Sequence, residues 1–206
     1  MVSLMIFLRK PSAETVRKFL DDQARLDFTY SPVGATAGAA PPGYRLNHTR
    51  ERLGTGRATF ERARAALDRW DQFRIGWAEV QPVDQPIQPG AVVAIVAHRL
   101  GLWWLNACRV VYVVDEDDPE APTARVGFAY GTLPDHVGAG EERFLIEWDR
   151  ETDEVWYDVA AFSQPHLLLT RLGYPYMRRA QRRFGLESAA AMVRAMAEPE
   201  AATAPG

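Results

Sequence analysis

From Arg74 to Ser163 the chain runs through six segments dense in Val, Ile, Tyr, Phe and Trp, with no helical pattern between any two of them. They are RIGWAEVQP (74–82), AVVAIVAHR (91–99), WLNACRVVYVVDE (104–116), RVGFAYGTL (125–133), ERFLIEWD (142–149) and EVWYDVAAFS (154–163). β-Branched and aromatic residues suit a pleated, half-buried surface, and Gly, Pro or Asp punctuates the end of each run. Connections this short allow only antiparallel neighbours, so the segments predict a meander. A sheet with one apolar face needs a cover. The chain offers a long helix from about His166 to Ala197, and a second amphipathic helix is read in TFERARAALDRW (59–70), with Phe60, Ala63, Leu67 and Trp70 at helical spacing. The fold class that follows is α+β, a curved antiparallel sheet of about six to seven strands gripping a long C-terminal helix.

The flanks fit this plan. Val2 to Leu8 reads as a buried strand or an apolar arm. In the helix that follows, Ser12 can cap the free amides and Glu14 favours the first turn, with Val16, Phe19, Leu20 and Gln23 on one face. SPVGATAGAAPPGY (31–44) reads as a loop with little to pack, and YRLNHTRERLGTG (44–56) as a strand into a turn. Gly173 and Pro175 are expected to break the C-terminal helix early. Leu172, Tyr176, Ala180 and Phe184 form its apolar stripe, and Arg171, Arg178, Arg179, Arg182 and Arg183 its solvated side.

The composition excludes several classes. A formal charge of −3 gives no global reason to bind nucleic acid. The six arginines and one acid of residues 163–197 lack the interleaved aromatics of a single-strand groove. No stretch approaches the ~20 apolar residues of a membrane span. The N-terminus lacks the charge order of a signal peptide, and one cysteine, Cys108, allows no internal disulfide, so a cytoplasmic location is expected. His48, His98, His136 and His166 show no metal-ligand spacing, so no metal and no cofactor are predicted. Gly54 and Gly56 precede a helix but lack the third small residue of a dinucleotide loop.

Taken together, VGAT…GY, LGTGRATFERARAALDRW, NACRVVYVVDE, GFAYGTLPDHVGAGEERFLIEWD, VWYDVAAFSQP and YPYMRRAQRRFGLESAAAM resemble the DUF1990 (UPF0548) family, over nearly all of residues 26 to 196. The resemblance implies the START-like (SRPBCC) helix-grip fold, shared with Bet v 1-like proteins, and supplies no catalytic residues. It gives one domain over 1–197, with an N-terminal strand–helix extension over about 1–43 and a disordered tail at 198–206.

Candidate site residues follow from strand alternation. Trp104, Asn106, Cys108, Val110, Tyr112 and Val114 share a face, which would put Asn106 and Tyr112 in an apolar cavity. Cys108 reads as a small buried hydrophobe. Trp77, Tyr157 and Tyr176 are the other expected walls. His136, in the glycine-rich connection 131–142, reads as part of a lid. His136, Glu141 and Tyr157 are the weak acid–base candidates, which serve only if they converge. Arg109 is expected to pair with Glu147 or Asp158. The favoured function is binding of a small apolar molecule between sheet and helix. An enzyme using the same cavity and a protein-interaction module docking through the arginine-rich helix are the alternatives. A homodimer is compatible with the apolar arm.

Overall fold

The computed structural model of the protein describes residues 5–38, 41–42, 44–165 and 174–198. Its elements are β1 (Met5–Phe7), α1 (Ala13–Gln23), β2 (Arg45–Thr55), α2 (Gly56–Asp68), β3 (Ala78–Gln81), β4 (Val92–Arg99), β5 (Leu102–Glu116), β6 (Thr123–Thr132), β7 (Gly138–Asp149), β8 (Glu154–Pro165) and α3 (Tyr174–Ala197). Short 3-10 turns lie at Ala35–Ala37 and Asp71–Phe73.

The sheet order is β2-β8-β7-β6-β5-β4-β3, antiparallel throughout, with β1 added to β5. Six of these strands are the six runs of the sequence, and β2 closes the far edge against β8. The curved half-barrel with its C-terminal helix is the helix-grip, START-like arrangement.

The two faces carry different chemistry. The concave face packs on α2 and α3 through one large core, with Phe60, Leu67, Trp70, Phe73, Phe128, Tyr130, Phe144, Ile146, Tyr157, Phe184 and Met192. The convex face carries α1, whose Val16 and Phe19 cover Ala94, Val96, Leu105, Ala107 and Leu133. Ser12 caps α1 by accepting the Thr15 N–H at 3.2 Å. Pro175 sits in the first turn of α3, where its missing N–H costs nothing. His166 and the stretch expected to break the helix lie outside the described residues up to Gly173.

The segment 31–44 does more than connect. Its 3-10 turn buries Thr36 on the convex face, and Tyr30 packs edge-on to Phe162, 5.7 Å between ring centres. Tyr30 lies across Gly131, where a Cβ would stand 2.1 Å from its Oη. Gly131→Ala should therefore lift Tyr30 from the sheet and cost about 1–3 kcal/mol, read from urea unfolding.

Arg109 does not meet Glu147 or Asp158. It donates to the carbonyl oxygens of Ala24 at 2.8 Å and Leu26 at 2.9 Å, closing the exposed C-terminal end of α1. The two carboxylates are taken by nearer cations: Glu147 accepts from Arg50 and Arg125, and Asp158 from Arg143. Cross-strand register, which single-strand parity cannot supply, decides these partners.

Candidate functional site between sheet and helix

Most of the concave face is filled. Trp70, Phe73, Phe128, Tyr130, Phe144 and Phe184 pack ring on ring, with centroids 4.9 to 6.5 Å apart. What stays open is a cavity of about 220 Å³ at the β2–β8–β7 end, under the first turns of α3. Leu46, Asn47, Thr49, Glu142, Val159, Ala161, Arg178, Gln181, Arg182 and Gly185 line it, together with His48. The helix comes close to the sheet here because residue 185 is glycine: a Cβ would lie 2.7 Å from Thr49 Oγ1. A smaller crevice of about 50 Å³ near Asp68 is bounded by the Arg64–Asp115 ion pair.

Glu142 is the acid of the cavity. It shares strand parity with Phe144 and Ile146, so it faces inward opposite Tyr130, whose hydroxyl donates to Glu142 Oε2 at 2.6 Å. Burial raises its pKa to about 7, against a smaller lowering by the Tyr130 hydrogen bond. The ordinary value is 4.5, so between 4.5 and 7 the folded protein holds a proton that the unfolded chain has lost. Stability therefore falls as pH rises through that window and is level above it. Glu142→Gln should abolish the fall, seen as wild-type and variant urea midpoints that diverge from pH 5 to 7 and then run parallel.

Around the acid lie buried hydroxyls and a thiol. Tyr157 Oη and Ser188 Oγ of α3 are 2.7 Å apart. Cys108, fully buried as the sequence suggested, has its thiol pKa pushed up by burial and then by Glu142. At the cavity wall Asn47 donates to Gln181 Oε1 at 3.3 Å, and Gln181 donates to Ser163 Oγ at 2.6 Å.

The acid–base candidates from the sequence do not converge. Glu141 faces the convex side, opposite to Tyr157. Its carboxylate accepts Tyr30 Oη–H at 2.6 Å, Gly34 N–H at 2.6 Å, Thr36 N–H at 2.8 Å and the Thr36 hydroxyl. With the Thr36 proton so used, Tyr112 Oη donates to Thr36 Oγ1 at 2.8 Å. Tyr112 is thus also on the convex face. A β-bulge between Val110 and Tyr112 inserts one residue, so the face expected for Trp104, Asn106, Cys108 and Val110 holds and the alternation reverses only from Tyr112 onward.

Asn106 is buried and structural in its contacts, donating to Ile95 O and accepting from the Val137 N–H, both at 3.3 Å. His136 belongs to the same connection, which is pinned. Gln23 Nε2 donates to Asp135 at 2.9 Å, and the Gly138 N–H donates to His136 Nδ1 at 3.0 Å. None of these residues lines the cavity, so the expected lid is an anchor for α1. Trp77 lies at the edge of the core, under the Arg99 guanidinium at 3.5 Å, and its indole N–H donates to Glu187. Tyr157 fills the core outright. The Tyr176 side chain lies outside the described residues.

Glu142 was missed by sequence reasoning, and Arg178 and Arg182, expected on the solvated or partner-docking side of the helix, line the cavity as well. Glu142 was legible from its parity with Phe144, Ile146 and Trp148. The two arginines had no such signal. On the helix they sit beside the apolar stripe, and the curvature of the sheet brings β2 near them, with Arg178 half-buried and Arg182 still exposed at the cavity rim.

The family described as "Domain of unknown function (DUF1990)" matches residues 29–191. The chain belongs to that family. A UPF0548 protein of Dictyostelium discoideum is 34% identical over 93% of this chain and 96% of its own length. One from Deinococcus radiodurans is 36% identical over 93% and 98%. Among solved structures, a hypothetical protein of Helicobacter pylori matches with a TM-score of 0.50 at 10% identity, covering 74% of this chain and 89% of that one. A norcoclaurine synthase of Thalictrum flavum matches with a TM-score of 0.45 at 8% identity, covering 79% and 99%. At these identities the likeness concerns the fold alone.

In this DUF1990 protein the quoted family motifs meet in space. VGAT places Gly34 and Thr36 on Glu141 of the GEERF stretch, and the RRAQRRF stretch places Arg178, Gln181 and Arg182 over Glu142. Among the described residues no group of three His, Cys, Asp or Glu is placed to hold a metal ion, and no helix is long and apolar enough to cross a membrane.

Proposed function

We propose that this DUF1990 protein binds a small molecule in the cavity between β2, β7, β8 and α3. The observation that carries the reading is the opening itself: about 220 Å³ left beside a core otherwise filled by its own aromatic rings. Drug-sized ligands occupy roughly 300–1,000 Å³. The occupant is accordingly small.

The apolar ligand expected from the sequence fits this cavity poorly. Val159 and Ala161 give it an apolar part, but Glu142, Asn47, Gln181, Arg178 and Arg182 dominate the rest. The apolar volume that a hydrophobic ligand would need is held by Phe73, Phe144 and Phe184. A reaction in this cavity would depend on Glu142, because His136, Glu141 and Tyr157 lie apart. The docking reading loses ground, since Arg178 and Arg182 belong to the cavity wall.

A ligand-observed NMR screen of small polar fragments tests the reading, run on the wild type and on Ala161→Phe, which fills the opening. Hits on the wild type that vanish in a folded variant support it. Hits that persist in the variant place binding elsewhere and refute it.

A further inference from the structure

Two cations and one acid line the cavity, Arg178 half-buried and Arg182 at its exposed rim, and none of the three is paired with another among the described residues. Arg178 and Arg182 lie one turn apart on α3, so their side chains project to the same side. Among the described residues neither makes a hydrogen bond or an ion pair, whereas on the same helix Arg183 holds Glu187 at 2.6 Å and Arg194 donates to Arg74 O at 3.1 Å. Glu142 on the opposite wall is bound by Tyr130 through Oε2, and its Oε1 has no hydrogen-bond partner among the described residues. The neutral groups between them, Asn47 and Gln181, are already joined to each other and to Ser163.

Resting on the small-molecule reading above, we propose that the cavity selects a small organic anion. Its oxyanion head is held by Arg178 and Arg182, and its far end accepts a hydrogen bond from the Glu142 carboxyl. Guanidinium groups match carboxylate and phosphate oxygens in planar, two-point geometry, and a partly enclosed site strengthens each charge-assisted bond. A cationic ligand would meet both arginines at close range. A neutral apolar one would gain nothing from their donors.

The acid supplies the second half of the recognition. Burial holds its pKa near 7, so below neutral pH Glu142 is a hydrogen-bond donor and adds no negative charge against the ligand. Above it the carboxylate repels the anion. The other titratable or charged groups around Glu142 are Tyr130 on β6, Cys108 on β5, Tyr157 on β8, Arg178 and Arg182 on α3, and His48 on β2. The His48 Nε2 lies 2.6 Å from Asp158 on the convex side. Replacing Glu142 alone isolates its own contribution.

Isothermal titration with three probes tests the proposal: 4-hydroxybenzoate, 4-hydroxyphenyl phosphate and the neutral 4-hydroxybenzamide. One or both anions should bind at least about tenfold more tightly than the amide, and which of them binds better assigns the head as carboxylate or phosphate. Arg178→Gln and Arg182→Gln should each weaken the anion by about tenfold, while Arg179→Gln, outside the cavity, leaves it unchanged. Wild-type affinity for 4-hydroxybenzoate, which stays ionised throughout, should fall from one pH unit below the Glu142 pKa of about 7 to one unit above, and Glu142→Gln should bind it without that slope. Equal binding of amide and anions, lost together in Ala161→Phe, would overturn the anion proposal and leave the small-molecule reading standing. No binding of either anion at millimolar concentration would also overturn it, as would anion binding indifferent to both arginines.

Discussion

Glu141→Ala should lower stability by about 3–5 kcal/mol, measured as a drop in the urea midpoint with an unchanged slope. Glu141 is 2% exposed, and four donors converge on its two oxygens. Truncation removes them all and leaves the Thr36 amide and hydroxyl without their acceptor. A hydrogen bond to a charged group contributes ~1.5–3 kcal/mol, and a buried donor left unsatisfied costs ~1–3 kcal/mol. The total stays below the sum because the 31–38 segment can lift into water. The same lifting gives a second readout, faster proteolysis after Arg25 or in the segment that follows. Glu141→Gln keeps one acceptor oxygen but turns an amide toward the Thr36 N–H, so its loss should fall between the wild type and Glu141→Ala.

Three residues along the same strand, Phe144→Ala should cost about 3–5 kcal/mol by a different route. Phe144 is fully buried and touches the rings of Phe73, Phe128, Tyr130 and Phe184, at centroid distances of 6.0, 5.2, 5.3 and 6.3 Å. These rings come from the 3-10 turn after α2, from β6 and from α3, and they hold one another in place. The hole left by the ring cannot collapse without moving α3. Leu186→Ala on that helix, 60% exposed, should change stability by no more than about 0.5 kcal/mol. A small effect at Phe144 in the same assay would mean that the helix packs on the sheet less tightly than this core implies.

The contrast between these two residues explains why part of the candidate site was legible and part was not. Phe144, Ile146 and Trp148 mark one face of β7 by alternation alone, and Glu142 continues that face toward Tyr130. The acid of the cavity was therefore within reach of the pattern, and its neighbour Glu141 was the wrong choice by one residue. Tyr112 was not within reach. Its position depends on a bulge after Val110, and the sequence VVYVV carries no glycine or other mark to announce one. Arg109 and the loop 31–38 were misjudged for a related reason. Their partners, the end of α1 and Glu141, are about 85 and 105 residues away in the chain.

The sequence by itself determined the strand runs, the two amphipathic helices, the antiparallel order of the meander and the burial of Cys108. Periodicity and turn residues act over a few neighbours, and those neighbours are written side by side. The tertiary structure alone decided that aromatic rings fill most of the concave face, that Arg178 and Arg182 line the same cavity as Glu142, and that Glu141 clamps the N-terminal segment. Each depends on the curvature and register of a sheet whose strands meet across the chain, and a slip or a bulge of one residue reverses which side chains meet.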